Sequence, residues 1–358
     1  MQKTPSLLSR KTTYCPRAIA ALLLGLSAQI ANASTTVCVT NATDLQTALN
    51  NATGSTEATF IEMARGTYNI TAQMVFYAMD ADQGQLDVTG GYNSDCSAQI
   101  KNPALTVLDG GGVAGVLRLF SVGGLSVRYL TVQNGYFSID VGNDNAGLFV
   151  KSEGGSIFVD YNIIRDNVGV NNVGLQVIAD AGSTSALHVD GNLIVGNTAV
   201  NKLGAGLIIN AGTGNAYITN NTVANNVSQR TDAGPIGGLE IGAGTGPTTL
   251  SNNIFYGNTA VDLFLDASPL LINNDYISIG NGTPGAGSIG NVGVNPQFAS
   301  ATDYRLQASS PLLGAGTLTP AGNLPTIDIE GNPRSYNNLV DMGAYERGDE
   351  IYGNSFDD

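Results

Sequence analysis

The segment Asn162-Ile-Ile-Arg-Asp-Asn167 recurs as Asn192-Leu-Ile-Val-Gly-Asn197, Asn221-Thr-Val-Ala-Asn-Asn226 and Asn253-Ile-Phe-Tyr-Gly-Asn258, at steps of 30, 29 and 32 residues. A weaker copy begins at Asn274, and a looser one, Tyr129-Leu-Thr-Val-Gln-Asn134, comes earlier. A second marker keeps step with the first: Gly147-Leu148, Gly174-Leu175, Gly206-Leu207 and Gly238-Leu239 precede their Asn motifs by 15, 18, 15 and 15 residues. Two markers held in phase over four copies define a repeat architecture, in which each unit buries its apolar face only against its neighbours.

The chemistry inside a copy is that of strands. Val159, Val189, Ile218 and Leu250 stand three residues before the first Asn, and Ile164, Ile194, Val223 and Phe255 stand two after it. These are β-formers, and the density of Gly and Asn would damage any helix. Three short strands with their turns fit a coil of this length, so successive coils can stack at about 4.8 Å. The reading is an all-β, right-handed parallel β-helix, a pectate-lyase-like solenoid. The repeated residues Asn162, Asn192, Asn221 and Asn253, and their partners Asn167, Asn197, Asn226 and Asn258, are expected to occupy left-handed turns and to bond coil to coil as ladders.

The ends differ from the body. Lys3, Arg10, Lys11 and Arg17, the apolar run Ala18–Leu26 and the small-x-small triplet Ala31-Asn32-Ala33 read as a signal peptide over residues 1–33. Residues 34–280 are assigned to the β-helix with its N-terminal cap. Leu45, Ala48, Leu49 and Ala52 lie at helical spacing with Thr43 as the expected N-cap, a short capping helix over the first coil. Gly280 to Gly293 reads as a Gly-rich loop, 281–348 as an irregular C-terminal cap, and 349–358 as an acidic tail. No later stretch is long and apolar enough to be a membrane-spanning helix.

Removal of the signal peptide takes away four of the 15 Lys+Arg and none of the 29 Asp+Glu, leaving a net charge near −18. That balance excludes nucleic acid as a natural partner and makes a polyanionic glycan a poor ligand unless calcium bridges the charges. A polysaccharide or another cell-surface component is the expected partner. Cys38 and Cys96 would remain; in an oxidising compartment they read as a disulfide worth about 4 kcal/mol by chain entropy, with two free buried thiols as the alternative.

Three groups of residues carry a family resemblance. One is Asn295-Pro-Gln-Phe, Asp303-Tyr-Arg-Leu and Ser309-Ser-Pro-Leu-Leu-Gly-Ala-Gly316. The second is Asp328-Ile-Glu-Gly-Asn-Pro-Arg334 with Val340-Asp-Met-Gly-Ala-Tyr-Glu346. The third is Gly90-Gly-Tyr-Asn-Ser-Asp-Cys96 followed by Leu108-Asp-Gly. With them the chain resembles exported bacterial β-helix proteins bearing a choice-of-anchor Q type C-terminal region. The resemblance implies the fold and a location that is secreted, periplasmic or on the outer cell surface; it implies no activity.

Candidate chemistry is sparse. Glycoside hydrolysis needs paired carboxylates at fixed separation, and a lyase needs a carboxylate-bound calcium with an Arg or Lys base. Asp160 and Asp190 share one coil position, two before the first Asn, and should stack on adjacent coils where they could hold calcium or raise each other's pKa. Thr219 and Ser251 follow at that position, which limits the set to two ligands, and the plain reading of the row is a solvated outer face. His188, the sole histidine, lies on the strand of Asp190, with Phe158 and Tyr217 as its neighbours one coil away. The cations available are Lys101, Lys151, Lys202, Arg118, Arg128, Arg165 and Arg230. Asp328, Glu330, Asp341 and Glu346 form a second acidic group that either binds calcium or holds turns. Tyr161, Tyr217, Tyr256 and Tyr276 are the rings that could meet sugars. The expectation is an exported, non-enzymatic protein with a carbohydrate-binding or adhesive role and no cofactor beyond calcium; a polysaccharide lyase or glycoside hydrolase is the alternative.

Overall fold

The computed structural model describes residues 34–138, 145–180, 184–200, 204–229, 236–242, 246–259 and 261–348. The signal peptide and acidic tail, with Lys202 and Arg230, lie outside them. The sheets formed by the described residues have nine, eight, seven and four strands, and every strand pair is parallel. The chain is a right-handed parallel β-helix in which a full coil places one strand in each of the three larger sheets.

The repeat positions become interior stacks. Ile61, Val88, Val127, Val159, Val189, Ile218, Leu250 and Leu271 pair in register along the nine-stranded sheet, all fully buried. Val132, Ile164, Ile194, Val223 and Phe255 do the same in the seven-stranded sheet, and Leu119, Val150, Val177, Ile209, Ile241 and Leu265 in the eight-stranded one. Each such side chain contributes about 1.5–3 kcal/mol by leaving water.

Two asparagine ladders run beside these stacks. The Oδ1 of Asn192 accepts from both the backbone N–H and the Nδ2 of Asn162, at 2.9 and 3.1 Å. Asn221 serves Asn192 in the same way at 2.9 and 3.0 Å, and Asn253 serves Asn221. The remaining Nδ2 hydrogen of Asn192 goes to the Val159 carbonyl at 2.7 Å, so the buried amide spends all its donors and acceptors. The second ladder links Asn167, Asn197, Asn226 and Asn258 in the same pattern and ends on the Asp262 carboxylate. The left-handed residue is the one before each ladder position, not the Asn itself: Tyr161, Gly191, Asn220 and Asn252 have φ of 57, 66, 54 and 58°. That corner turns the chain and aims the following amide inward.

The N-terminal helix spans Ala42–Ala52 and starts earlier than the sequence suggested, because Asn41 rather than Thr43 is the N-cap. Asn41 accepts from the Asp44 N–H at 2.9 Å and donates to the Asp44 carboxylate at 2.7 Å, a reciprocal cap that a Thr hydroxyl could not make as well. Leu45, Ala48, Leu49 and Ala52 face the first coil. Gln46 bonds both the N–H and the carbonyl of Val75, closing part of the open edge of the eight-stranded sheet. A disulfide joins Cys38 to Cys96.

Two features of the C-terminal third were not read from sequence. Gly280 to Gly293 is not simply a loop: it lays down a last partial coil, with Ile289 and Val292 bonded to Leu271 and Asn274, and Asn291 extends the ladder from Asn274. The irregular segment after it packs along the outer face of the seven-stranded sheet. There Leu193, Val195 and Ala224 are buried against Tyr304, Ile329 and Ala344, and Ile254 against Leu306, Leu312 and Met342. The side chains of Asn220 and Asn252 anchor it through the carbonyls of Asp341, Gly343 and Thr317.

Replacing Asn192 or Asn221 with Leu strands turn amides in the interior, and each change is expected to cost about 1–3 kcal/mol. Urea unfolding measures this, and unchanged stability in both variants would remove the ladders from the account.

Candidate functional site

Strand register brings together the residues that sequence placed at one coil position. Asp160 pairs with Asp190 on one side and with Arg128 on the other, and Thr219 follows Asp190. Arg128 Nε meets the Asp160 carboxylate at 2.9 Å and its Nη1 meets Asp87 at 3.1 Å. His188 Nδ1 lies 3.6 Å from Asp190. The result is a row of charged groups, Asp87, Arg128, Asp160 and Asp190 with His188 beside it, on the outer face of the nine-stranded sheet.

That face is not the solvated surface expected from the strand pattern. Asp160 is 7% exposed, because Arg128 and its coil neighbours close over it and the C-terminal segment runs along the adjoining corner. Burial, then repulsion from Asp190, pushes the Asp160 carboxyl up to about 7 against the pull of Arg128. Burial also raises Asp190, opposed by its bonds to His188 and Thr219. One oxygen of each carboxyl, Asp160 Oδ1 and Asp190 Oδ1, is buried without a hydrogen-bond partner.

The aromatic neighbours form a stack. Phe158 and His188 lie 5.0 Å apart and 13° from parallel, and Tyr217 follows at 5.0 Å, tilted 40°. Their faces are turned to one another, which leaves mainly edges for a sugar. Tyr161 stacks on Tyr129 at the corner, Tyr256 meets Phe298 edge-on, and Tyr276 packs on the interior core. These four tyrosines supply no common platform.

The acidic residues of the C-terminal segment are engaged in holding turns. The carboxylate of Asp328 accepts from the N–H groups of Glu330, Asn332 and Glu346, and that of Asp341 from Gly314 and Arg347. Glu346 accepts from the Asp341 N–H and sits 3.7 Å from Arg334, which is 1% exposed and bonds the carbonyls of Gly343 and Ala344. Burial, then repulsion from Asp341, pushes Glu346 up to about 8. Among the described residues no group of three or more His, Cys, Asp or Glu side chains is placed to hold a metal ion.

The same segment encloses a cavity of about 700 Å³. Arg305, Glu330, Asn332, Gln307, Tyr336 and Tyr345 supply its distinctive chemistry, with Leu306 and Ala308 among the apolar walls. Arg305 is held between Asp303 and Glu330 and lies 5.3 Å from the Tyr345 ring centre. The walls of this cavity come from turns with no periodic signal, so nothing in the sequence marks it. Arg128 also falls outside the carboxylate row when the early copy is aligned from Tyr129, whereas the strand register puts Leu130 at the Asn162 position, a shift of one residue that brings Arg128 opposite Asp160.

No family model matches the sequence, and no curated protein does. Among solved structures, a pectin methylesterase from Aspergillus niger in deglycosylated form is 13% identical, covering 78% of this chain and 93% of its own, with a TM-score of 0.36. The same enzyme in a penultimately deglycosylated form is 12% identical over 76% and 89%, at 0.33. A pectate lyase is 14% identical over 81% and 88%, at 0.32. These are likenesses of fold, too distant to inform the site.

The raised carboxyls give a signed pH dependence. Asp160 and Asp275, each pushed up to about 7 chiefly by burial, and Glu346 hold protons more tightly folded than unfolded. Their contribution is full below the unfolded carboxyl range near pH 4 and is lost as pH rises through about 7–8. The melting temperature should therefore fall between pH 5 and pH 8, and Asp275→Asn should flatten the fall. A melting temperature that climbs over this range in the parent protein would contradict the assignment.

Proposed function

We propose that this chain is an exported β-helix protein of the bacterial surface that binds carbohydrate without transforming it. The signal-peptide pattern, the disulfide and the resemblance of the C-terminal segment to an anchor-type region support export. Among the described residues no helix is long and apolar enough to cross a membrane. The observation that carries the binding reading is the C-terminal cavity, whose volume falls within the roughly 300–1,000 Å³ range of ligand sites. Arg305 is paired with both Asp303 and Glu330, and Asp341 and Glu346 line the cavity beside Arg347, so an anionic ligand finds no excess of positive charge there. Guanidinium, carboxylate and carboxamide groups suit the paired hydroxyls of a neutral saccharide, and Tyr336 and Tyr345 suit its C–H faces.

A specific observation favours the alternative. Asp160 and Asp190 adjoin each other with a carboxyl raised to about 7, beside Arg128 and His188, as acid–base chemistry on a polysaccharide would use. The withdrawal of Asp160 from solvent counts against it, and Asp190 is only partly exposed beside it.

The test incubates the mature protein, from residue 34, with neutral glycans and polyuronates under paired calcium and chelator conditions. Binding is measured alongside unsaturated and reducing ends. The proposal expects binding of a neutral glycan without turnover, weakened about tenfold, or ~1.4 kcal/mol, by Tyr336→Ala and unchanged by Asp160→Asn. Turnover abolished by Asp160→Ala or Asp190→Ala would replace it with the enzyme reading.

A further inference from the structure

The two ends of the solenoid are finished differently. The first coil is covered by the Ala42–Ala52 helix, whose apolar face is buried and whose Gln46 occupies strand-edge groups of Val75. Among the described residues the last coil has no such cover. Ile277, Ile289 and Val292 are 63, 67 and 38% exposed, and the irregular segment that follows turns away along the flank. Ile289 bridges to Ile272 and Val292 to Asp275, so both belong to the final turn of the coil stack.

The ladder is also unfinished there. In the earlier coils the backbone N–H of each first-ladder Asn finds an Asn Oδ1 on the coil beyond it, through to Asn274, which donates to Asn291. Asn291 accepts from Asn274 and sends Nδ2 back to the Leu271 carbonyl, but no described residue accepts from its own N–H. An open strand end with an unspent donor and exposed apolar residues is a template for another strand.

Charge identifies the occupant. The 27 residues from Tyr276 to Thr302 contain no Asp, Glu, Lys, Arg or His, in a chain of formal net charge −14. Most of the surface of such a chain repels a like copy, while at this end the carboxylates of Asp262 and Asp275 are buried and the exposed Asp266 is bonded to Asn281, so a copy meets less opposing charge. An anionic or cationic partner would find nothing to pair with on the same residues. We infer that the last coil is a self-association surface on which two copies meet end to end. Because the same patch serves both copies, the contact is two-fold and closes at a dimer instead of growing into a fibre. The inference does not depend on the carbohydrate reading, although two cavities on one particle would raise avidity for a repeating glycan.

Sedimentation velocity of the mature protein over a wide concentration range tests this, at low and at physiological salt. A monomer–dimer equilibrium is expected, with the dimer strengthened by salt as the repulsion of the acidic bodies is screened. Ile289→Asp and Ile277→Asp should each leave only monomer, with melting temperatures close to the parent because both side chains are mostly exposed. Ile100→Asp, at a site 50% exposed near the opposite end, should leave the dimer intact. A parent protein that stays monomeric at every concentration, a dimer unaffected by both end variants, or polymers without a dimeric limit would each overturn the inference.

Discussion

The two buried carboxamide ladders set the spacing and phase on which the rest of the molecule depends. A parallel solenoid must turn the same corner on each coil, and each corner leaves polar groups pointing into the core. An Asn after a left-handed residue meets that need, because its amide takes two donors from the coil before and gives its own to the coil after and to a carbonyl. An unpaired buried amide costs about 1–3 kcal/mol, so a slip in register would be penalised at every coil together. The apolar stacks supply most of the driving force but tolerate exchange of one aliphatic for another. The ladders supply the uniqueness.

This division explains what could be read from sequence. The coil stack from Asn162 to Asn274 was legible because a fixed geometry demands Asn at fixed phase and β-branched or aliphatic residues two and three positions away. The row of Asp160 and Asp190 was legible for the same reason, since register follows from phase. The burial of Asp160 was not, because it depends on the Arg128 side chain folding over it from the preceding coil, a contact that the repeat phase does not specify. Leu193 and Val195 carried a local hint: apolar on the outer as well as the inner side of one strand, they mark a sheet covered on both faces. The final coil was missed because Gly and Ser outnumber its strand-formers, leaving Asn291 as its one periodic marker.

The acidic residues show how the same composition serves different purposes. Asp328 and Asp341 are consumed by backbone amides and hold the C-terminal turns, with the buried Arg334 tying their loops together. Asp87 and Asp160 bracket Arg128 and extend the order of the ladder to the outer face of the sheet. In each case the carboxyl completes a network that backbone geometry leaves open. The cavity stands apart, with polar side chains and rings that remain partly open to solvent, and for that reason it carries the functional reading.

The central claim is that the asparagine amides are structural bonds between coils, and their hydrogen exchange tests it most directly. Side-chain Nδ2 protons of Asn192, Asn197, Asn221 and Asn226, assigned by NMR, should exchange far more slowly than those of the exposed Asn215, at rates that follow global unfolding. Exchange of these protons at the rate of a free carboxamide would show that the ladders are not formed in solution.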